Sequence, residues 1–314
     1  AVSLVKDEAD IIGATLLHLL GLGIRRFVIG DNGSTDTTPD IIRRFAADHP
    51  EATVVFLHDP VPALEQWRKV TAMVHFAHHY FGVDFIYPFD ADEFLVPPSA
   101  LVSEPGSLDA DAIANLLPSG DWDYLSLPWF TCIADDADGA LWMSREASHQ
   151  SKILVRWRED LVIAQGMHCA TSVRRRWWTR SPRTLQGTPS RWRVLHVPVR
   201  SASQLRAKII RSAIANRDNP ANWGKQSRSL YAAFQRHGDA VFTTLHDLVS
   251  DPQASAADLD RFARRFGLDA RTLCYFRDYF RPRIRVPFRL PSSPTSCASG
   301  TVAPIVARPA VSRG

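Results

Sequence analysis

Over its first 97 residues the chain alternates short β-type runs with helical patterns, and this alternation leaves few options beyond a parallel sheet flanked by helices. Val2 to Val5 reads as a strand, and Ile12, Leu16, Leu19 and Leu20 then form a helical apolar face. Phe27 to Ile29 reads as a second strand, followed by the turn DNGSTD and a helix with Thr38 as N-cap and Pro39 at its first position. Val54 to Leu57 gives a third strand, a helix runs from about Ala63 to Tyr80, and a fourth strand, Phe85 to Phe89, leads straight into Asp90. Right-handed crossovers would point all four strands the same way and gather Lys6, Asp31, His58 and Asp90 along one edge. Open parallel sheets bind ligands outside those carboxyl ends, so this edge is the expected site.

Beyond Pro97 the pattern loosens. A helix is expected near Asp109 to Leu117, a strand at Tyr124 to Pro128, an acidic loop at ADDADG and a strand at Ile153 to Arg156. From Ser203 to Phe280 the pattern is helical, including Leu205 to Ala215 and Ala257 to Phe266. From about Arg281 the chain is rich in Pro, Ser and Arg and reads as a disordered tail. The expected organisation is one α/β domain over 1–200 (halves 1–97 and 98–200), a small helical part over 201–280 and a tail over 281–314.

Between Leu161 and Arg217 lie twelve of the 37 Lys and Arg and none of the 33 Asp and Glu, which leaves 25 cations against 33 anions, a net −8, elsewhere. A basic segment set against an acidic remainder suits an anionic ligand. The four cysteines, Cys132, Cys169, Cys274 and Cys297, are dispersed and read as reduced thiols. No apolar run is long enough to span a membrane, and AVSLVKDEAD has no export-signal pattern, although a chain starting inside a strand can lack a preceding segment. The expected location is cytoplasmic, extending to the inner membrane face.

FIYPFDADEFL sets Asp90 and Asp92 one residue apart at the mouth of a buried strand. Two such carboxylates can hold a hard divalent cation and, through it, a diphosphate, whose departure the cation assists as a Lewis acid. The plainer reading is a polar strand end with Glu93 as an early turn acid. Asp31 after the second strand reads as a contact to a nucleotide base or ribose, or as an Asx-turn residue beside Asn32 and Gly33.

VKDEADII, FVIGDNGSTDTTPDII and FDADEFLVP, in this order and spacing, resemble the family 2-like glycosyltransferases with a GT-A fold, of the bacterial glycan-building kind. The resemblance covers residues 1 to 97 and fades beyond them. It implies a GT-A-like (Rossmann-like), mostly parallel α/β sheet, a nucleotide-diphosphate-sugar donor, usually a UDP-sugar, and Mn²⁺ or Mg²⁺. It also implies donor contacts from Asp31 and Asp90, with Lys6 and Glu8 beside them, and Asp92 on the metal. Asp7 stands where the family more often has Asn. In VLHVPVRSASQLRAK, His196 would be a third metal ligand, and the Pro-x-Arg-Ser stretch with Lys208 resembles the family's late segment.

His168 is a weaker alternative to His196, or an acceptor contact, whereas His78 and His79 read as helix-end surface residues. Transfer with inversion needs a base near the acceptor hydroxyl, and Asp135, Asp136 and Glu146 are its candidates. RRRWWTR and RWRVLH supply cations and flat rings that suit a diphosphate, an anionic glycan or an anionic membrane carrying a lipid-linked acceptor, although plain packing accounts for Trp177 and Trp178 as well. Nucleic acid is not an expected partner, because no nucleic-acid-binding module accompanies these residues. The expected activity is sugar transfer to a hydroxyl of a glycan or lipid-linked acceptor. The competing readings are a haloacid-dehalogenase-like phosphatase, a nucleotidyltransferase and an inactive sugar-binding protein.

Overall fold

The computed structural model describes residues 1–59, 65–98, 117, 122–135, 139–172, 183–185, 187–216 and 225–291. The parallel layer forms as its sequence pattern requires. β1 (Val2–Val5), α1 (Ile12–Gly21), β2 (Arg26–Asp31), α2 (Thr38–Asp48), β3 (Thr53–His58) and α3 (Gln66–Phe81) follow in order, and β2 pairs in parallel with both β1 and β3. Phe27 and Ile29 join the core with Ile12, Leu16, Ile42 and Phe45 of α1 and α2, whereas Val2 and Val28 share a second core with Val70, Met73 and Val74 of α3. Helices thus cover both faces. Burying each such side chain contributes roughly 1.5–3 kcal/mol.

The expected fourth strand is divided. β4 (Phe85–Ile86) pairs antiparallel with β8 (Ser151–Arg156), and the residues that follow lean on β1 instead: Val2 N donates to Tyr87 O at 2.9 Å and Phe89 N to Val2 O at 3.0 Å. Asp90 still emerges next to β1. Helix α2 also begins differently, with Thr37 at the N-cap position, because the Thr38 hydroxyl accepts Glu8 N–H at 2.8 Å.

The second half corrects the expectation of a mostly parallel sheet. β5 (Glu93–Val96), β6 (Tyr124–Ala134), β7 (Ala140–Ser144), β8, β9 (Leu161–Ile163), β10 (Ala170–Ser172), β11 (Arg183–Thr184), β12 (Gly187–Pro189) and β13 (Arg193–His196) pair mainly antiparallel. Only β12 and β13 run parallel to a neighbour, β6 in both cases. The connections β6–β7 and β7–β8 span five and six residues, too short for the crossover a parallel pair needs. β6 is the hub: its first half pairs with β8 and its second with β7 and β13.

The helical pattern after Ser203 appears as α4 (Ala202–Ala215), α5 (Lys225–His237), α6 (Ala240–Ser250), α7 (Ala256–Arg265) and the short α8 (Cys274–Arg277). They enclose their own core of Leu205, Ile209, Leu230, Phe242, Leu245 and Phe262. Ser201 caps α4 by accepting Gln204 N–H, and Ser255 with Asp258 forms a capping box on α7. The expected tail does not begin at 281: β14 (Arg283–Arg289) pairs antiparallel with β7 and buries Val286 and Phe288. Its Arg-Ile-Arg-Val alternation has the period of a strand covered on one face. The expected helix over 109–116, the RRRWWTR stretch, Asp136, Cys297 and residues 292–314 lie outside the described residues. No helix among the described residues is long and apolar enough to cross a membrane.

Candidate active site

Two loops build the edge beyond β1 and β2, and each holds the other. Lys6 Nζ donates to the carbonyls of Asn32 (3.0 Å) and Gly33 (2.6 Å), while the Ser34 hydroxyl accepts Asp7 N–H at 2.9 Å. Gly33 takes φ +70°, a backbone that glycine adopts without penalty. Asp7 takes φ +50°, which Asp and Asn tolerate best among other residues, and its carboxylate accepts Thr35 N–H at 2.6 Å. Asp7 thus performs a turn role that Asn also fills. Asp31 accepts Ser34 N–H at 3.1 Å, as an Asx-turn residue does, and does not line the cavity described next.

A cavity of about 300 Å³ opens at this edge, lined among others by Lys6, Glu8, Asp90, Asp92, His196 and Lys208. The structure thus brings together Lys6, Glu8, Asp90, Asp92 and His196, the expected donor and metal contacts other than Asp31, with Lys208 and His168 beside them. Register explains how distant segments meet there. β13 runs antiparallel to β5 with His196 opposite Glu93, so a late imidazole arrives beside the turn carrying Asp90 and Asp92. That turn is closed by Glu93 N donating to Asp90 O at 3.1 Å, and Val197 N donates to Asp92 O at 2.9 Å.

The two aspartates have different surroundings. Asp90 Oδ2 receives Lys152 Nζ at 2.7 Å and its Oδ1 receives Gln66 Nε2 at 3.2 Å. Lys152 also reaches Glu93 Oε1 at 2.8 Å and donates to Gly166 O at 2.9 Å. Only 2% of its side chain is exposed, so this cation is fixed under the cavity. Burial pushes the Glu93 carboxyl up to about 8, against the pull of the Lys152 ammonium. Asp92 receives Lys208 Nζ on Oδ2 at 2.6 Å, with Arg200 Nη1 at 3.6 Å, and faces His196 Nε2 across 3.5 Å from Oδ1. Burial opposes ionisation of Asp92, but Lys208, His196 and Arg200 outweigh it and hold the carboxyl well below the usual range. Burial also keeps His196 below the ordinary histidine value, so its imidazole is neutral near pH 7.

This arrangement corrects the expected metal set. Asp90, Asp92 and His196 do not converge: among the described residues no three His, Cys, Asp or Glu side chains are grouped to hold an ion. Lys152 and Gln66 draw the Asp90 carboxylate aside. A carboxylate oxygen of Asp92 and a neutral imidazole nitrogen of His196 remain face to face, a donor pair that suits Mn²⁺ or Mg²⁺ when a ligand supplies further oxygens.

Two of the expected bases are elsewhere, and the third, Asp136, lies outside the described residues. Asp135 accepts Trp142 Nε1–H at 3.1 Å and lies 3.6 Å from Arg285, and Glu146 is 73% exposed near Arg281; neither lines the cavity. His168 does line it. Its Nδ1 lies 2.9 Å from Ser151 O, a contact that requires the proton on Nδ1 and leaves Nε2 as an acceptor beside Gly166. Burial, then the Lys152 charge, keep its pKa below the ordinary value. His78 stacks on Trp157 at 3.5 Å and His79 meets the same ring edge-on, a surface packing role. Sequence reasoning missed Lys152, Trp129, Gly166 and Tyr275, whereas Arg200 is the arginine of the Pro-x-Arg-Ser stretch. The apolar run ILV directly after Lys152 was the available signal, a lysine opening a buried strand interior.

No protein-family model matches the chain, and no curated protein matches it. Solved structures similar to it include S. aureus TarS, at 10% identity and a TM-score of 0.35 over 88% of this chain and 54% of that one. They also include the mannosyltransferase PcManGT from Pyrobaculum calidifontis, in complex with GDP-Man and Mn²⁺, at 15% identity and a TM-score of 0.35 over 89% of this chain and 83% of that one. The chain thus spans about half the length of TarS.

Proposed function

We propose that the chain transfers a sugar from a nucleotide-diphosphate sugar, a UDP-sugar in the first instance, to a hydroxyl of a glycan or lipid-linked acceptor. The observation that carries this reading is the meeting of Asp92, His196 and Lys208 in one cavity with Asp90, Lys6 and Glu8, at the carboxyl edge of a parallel layer. Lys6, Lys152 and Lys208 line the cavity against Glu8, Asp90 and Asp92, so a bound cation would supply the positive charge a diphosphate needs. Asp92 and His196 would hold a divalent cation, which when bound stabilises the charge on the departing diphosphate. Asp31, one turn away, remains the proposed contact to the base or ribose.

In the reaction the bond from the sugar's anomeric carbon to the diphosphate oxygen breaks, and a bond to the acceptor oxygen forms with inversion. His168 takes the acceptor proton on Nε2, in the place first expected of Asp135, Asp136 or Glu146. Its neutral state and its Ser151 contact support that role. The domain outline of a 1–200 catalytic part with a helical part over 201–280 belongs to the same proposal, as do a cytoplasmic location and contact with an anionic membrane.

The test is release of nucleoside diphosphate from a panel of UDP-, GDP- and CMP-linked sugars, with simple glycosides as acceptors. Release from one nucleotide class that drops about 100-fold or more in Asp92→Asn supports the reading, in line with the loss of a group stabilising developing charge. Equal release from wild type and Asp92→Asn, or none from any donor, would contradict it.

A further inference from the structure

The two lysines on the acidic pair differ in one decisive respect. Lys152 is 2% exposed and has three partners, Asp90, Glu93 and the Gly166 carbonyl. Lys208 is 34% exposed, sits in the second turn of α4, lines the cavity and donates one hydrogen bond, to Asp92 Oδ2. It occupies one oxygen of the carboxylate whose other oxygen faces His196. A divalent cation binding between Asp92 and His196 would meet an ammonium already seated on Asp92, with the Arg200 guanidinium 3.6 Å from the same oxygen.

Resting on the transferase reading, we propose that Lys208 is a tethered competitor for the metal: it holds Asp92 while the site is without nucleotide, and moves to the diphosphate when the donor arrives. Three observations support this division of labour. Asp92 is buried and strongly anionic, so it needs a positive partner at all times, and Lys208 is the partner at hand. The lysine stem is long and partly exposed, so the ammonium can swing within the cavity without moving α4, whose position is fixed by Leu205 and Ile209 in the helical core. Arg200 is not mobile in this way, because it is held by Glu8 at 2.6 Å and Asp10 at 2.7 Å. Only Lys208 can leave.

The consequence is linkage. If the diphosphate draws Lys208 off Asp92, nucleotide binding raises metal affinity, and metal binding raises nucleotide affinity by the same factor. The nucleotide-free protein would bind the cation weakly, and the two ligands together would bind well.

The experiment is Mn²⁺ binding, followed by the loss of the electron paramagnetic resonance signal of the free ion, on the full chain and on Lys208→Met and Lys208→Arg, with and without UDP and GDP. Relative to wild type, nucleotide-free Lys208→Met should bind Mn²⁺ about tenfold more tightly or better, the factor that losing one charge-assisted hydrogen bond sets. Its nucleotide affinity at saturating Mn²⁺ should fall by a similar factor, and Lys208→Arg should retain the competition. Circular dichroism checks that each variant is folded. Unchanged or weaker Mn²⁺ binding by folded Lys208→Met, in a protein whose wild type binds Mn²⁺ with nucleotide, would overturn the competition and leave the transferase reading standing. Absence of Mn²⁺ binding in every variant with every nucleotide would overturn both.

Discussion

The floor of the cavity and its α4 wall both answer an aspartate with a lysine, yet one lysine holds the fold and the other faces the ligand. Lys152 rises from β8, inside the sheet, and is surrounded by two carboxylates and a carbonyl. Lys208 reaches in from the helical part and keeps a third of its surface in solvent. A buried cation of the first kind stabilises the turn that presents Asp90 and Asp92; a half-exposed one of the second kind can change partners. Residue identity and partner type are the same, and burial alone separates the roles.

The strongest way to break that comparison is to remove each lysine in turn. Lys152→Met leaves Glu93 and Asp90 without their shared cation and should cost about 3–5 kcal/mol by urea denaturation. Lys208→Met should cost less, about 1–3 kcal/mol in the same assay, because Asp92 is buried but Lys208 is 34% exposed and Arg200 stays 3.6 Å from the same carboxylate. Similar losses from the two would erase the distinction.

The parallel layer offers a control for what burial does to a titrating group. His18 is 2% exposed, its Nε2 lies 2.6 Å from Leu95 O, and burial lowers its pKa to about 4. The unfolded chain takes up a proton near the ordinary value of 6.5 that the folded chain refuses until about 4. Stability should therefore fall as pH drops from about 6.5 towards 4, by up to about 3 kcal/mol. The slope should flatten in His18→Gln; an unchanged slope would mean that other groups carry it.

A smaller effect probes the floor. Gly166 takes φ +77°, and a Cβ there would meet the His168 ring at 2.7 Å. Gly166→Ala should cost about 1–3 kcal/mol and also reduce turnover, since it displaces both His168 and the carbonyl that Lys152 holds. His168→Gln should lower turnover by about 100-fold or more. Because the His168 pKa lies below the ordinary value, wild-type turnover should stay level through pH 7 and fall only in acid. Smallest of all, Asp135→Asn and Glu146→Gln should change turnover by less than about twofold, since neither side chain lines the cavity. A large loss in either would return the base to the second half's acids.

Much of the parallel layer could be read from sequence because each strand there is a short apolar run with a helix after it, so periodicity and order together determine the topology. The acidic pair could be placed at that edge because residues 87–89 still lean on β1 and carry Asp90 there, although the fourth strand itself is divided. The antiparallel half was not, since a run such as Tyr124–Pro128 carries no mark of which later run it will pair with. β14 was missed because Pro and Arg suggested disorder, while the alternation of Ile284, Val286 and Phe288 was the stronger signal. Asp135 and Glu146 do not line the cavity, since acidity in a loop says nothing about distance from Asp92. His196 lies beside Asp92, whereas Asp90 is drawn off the same point by Lys152, a residue whose partners lie 62 and 59 positions earlier.

Calorimetric titration of UDP, GDP and CMP into the protein, with and without Mn²⁺, on wild type and Asp92→Asn, tests the central claim most directly. The account predicts binding of one nucleotide that strengthens with Mn²⁺ and collapses in the variant. Metal-independent binding that survives Asp92→Asn, or no binding of any nucleotide, would contradict it.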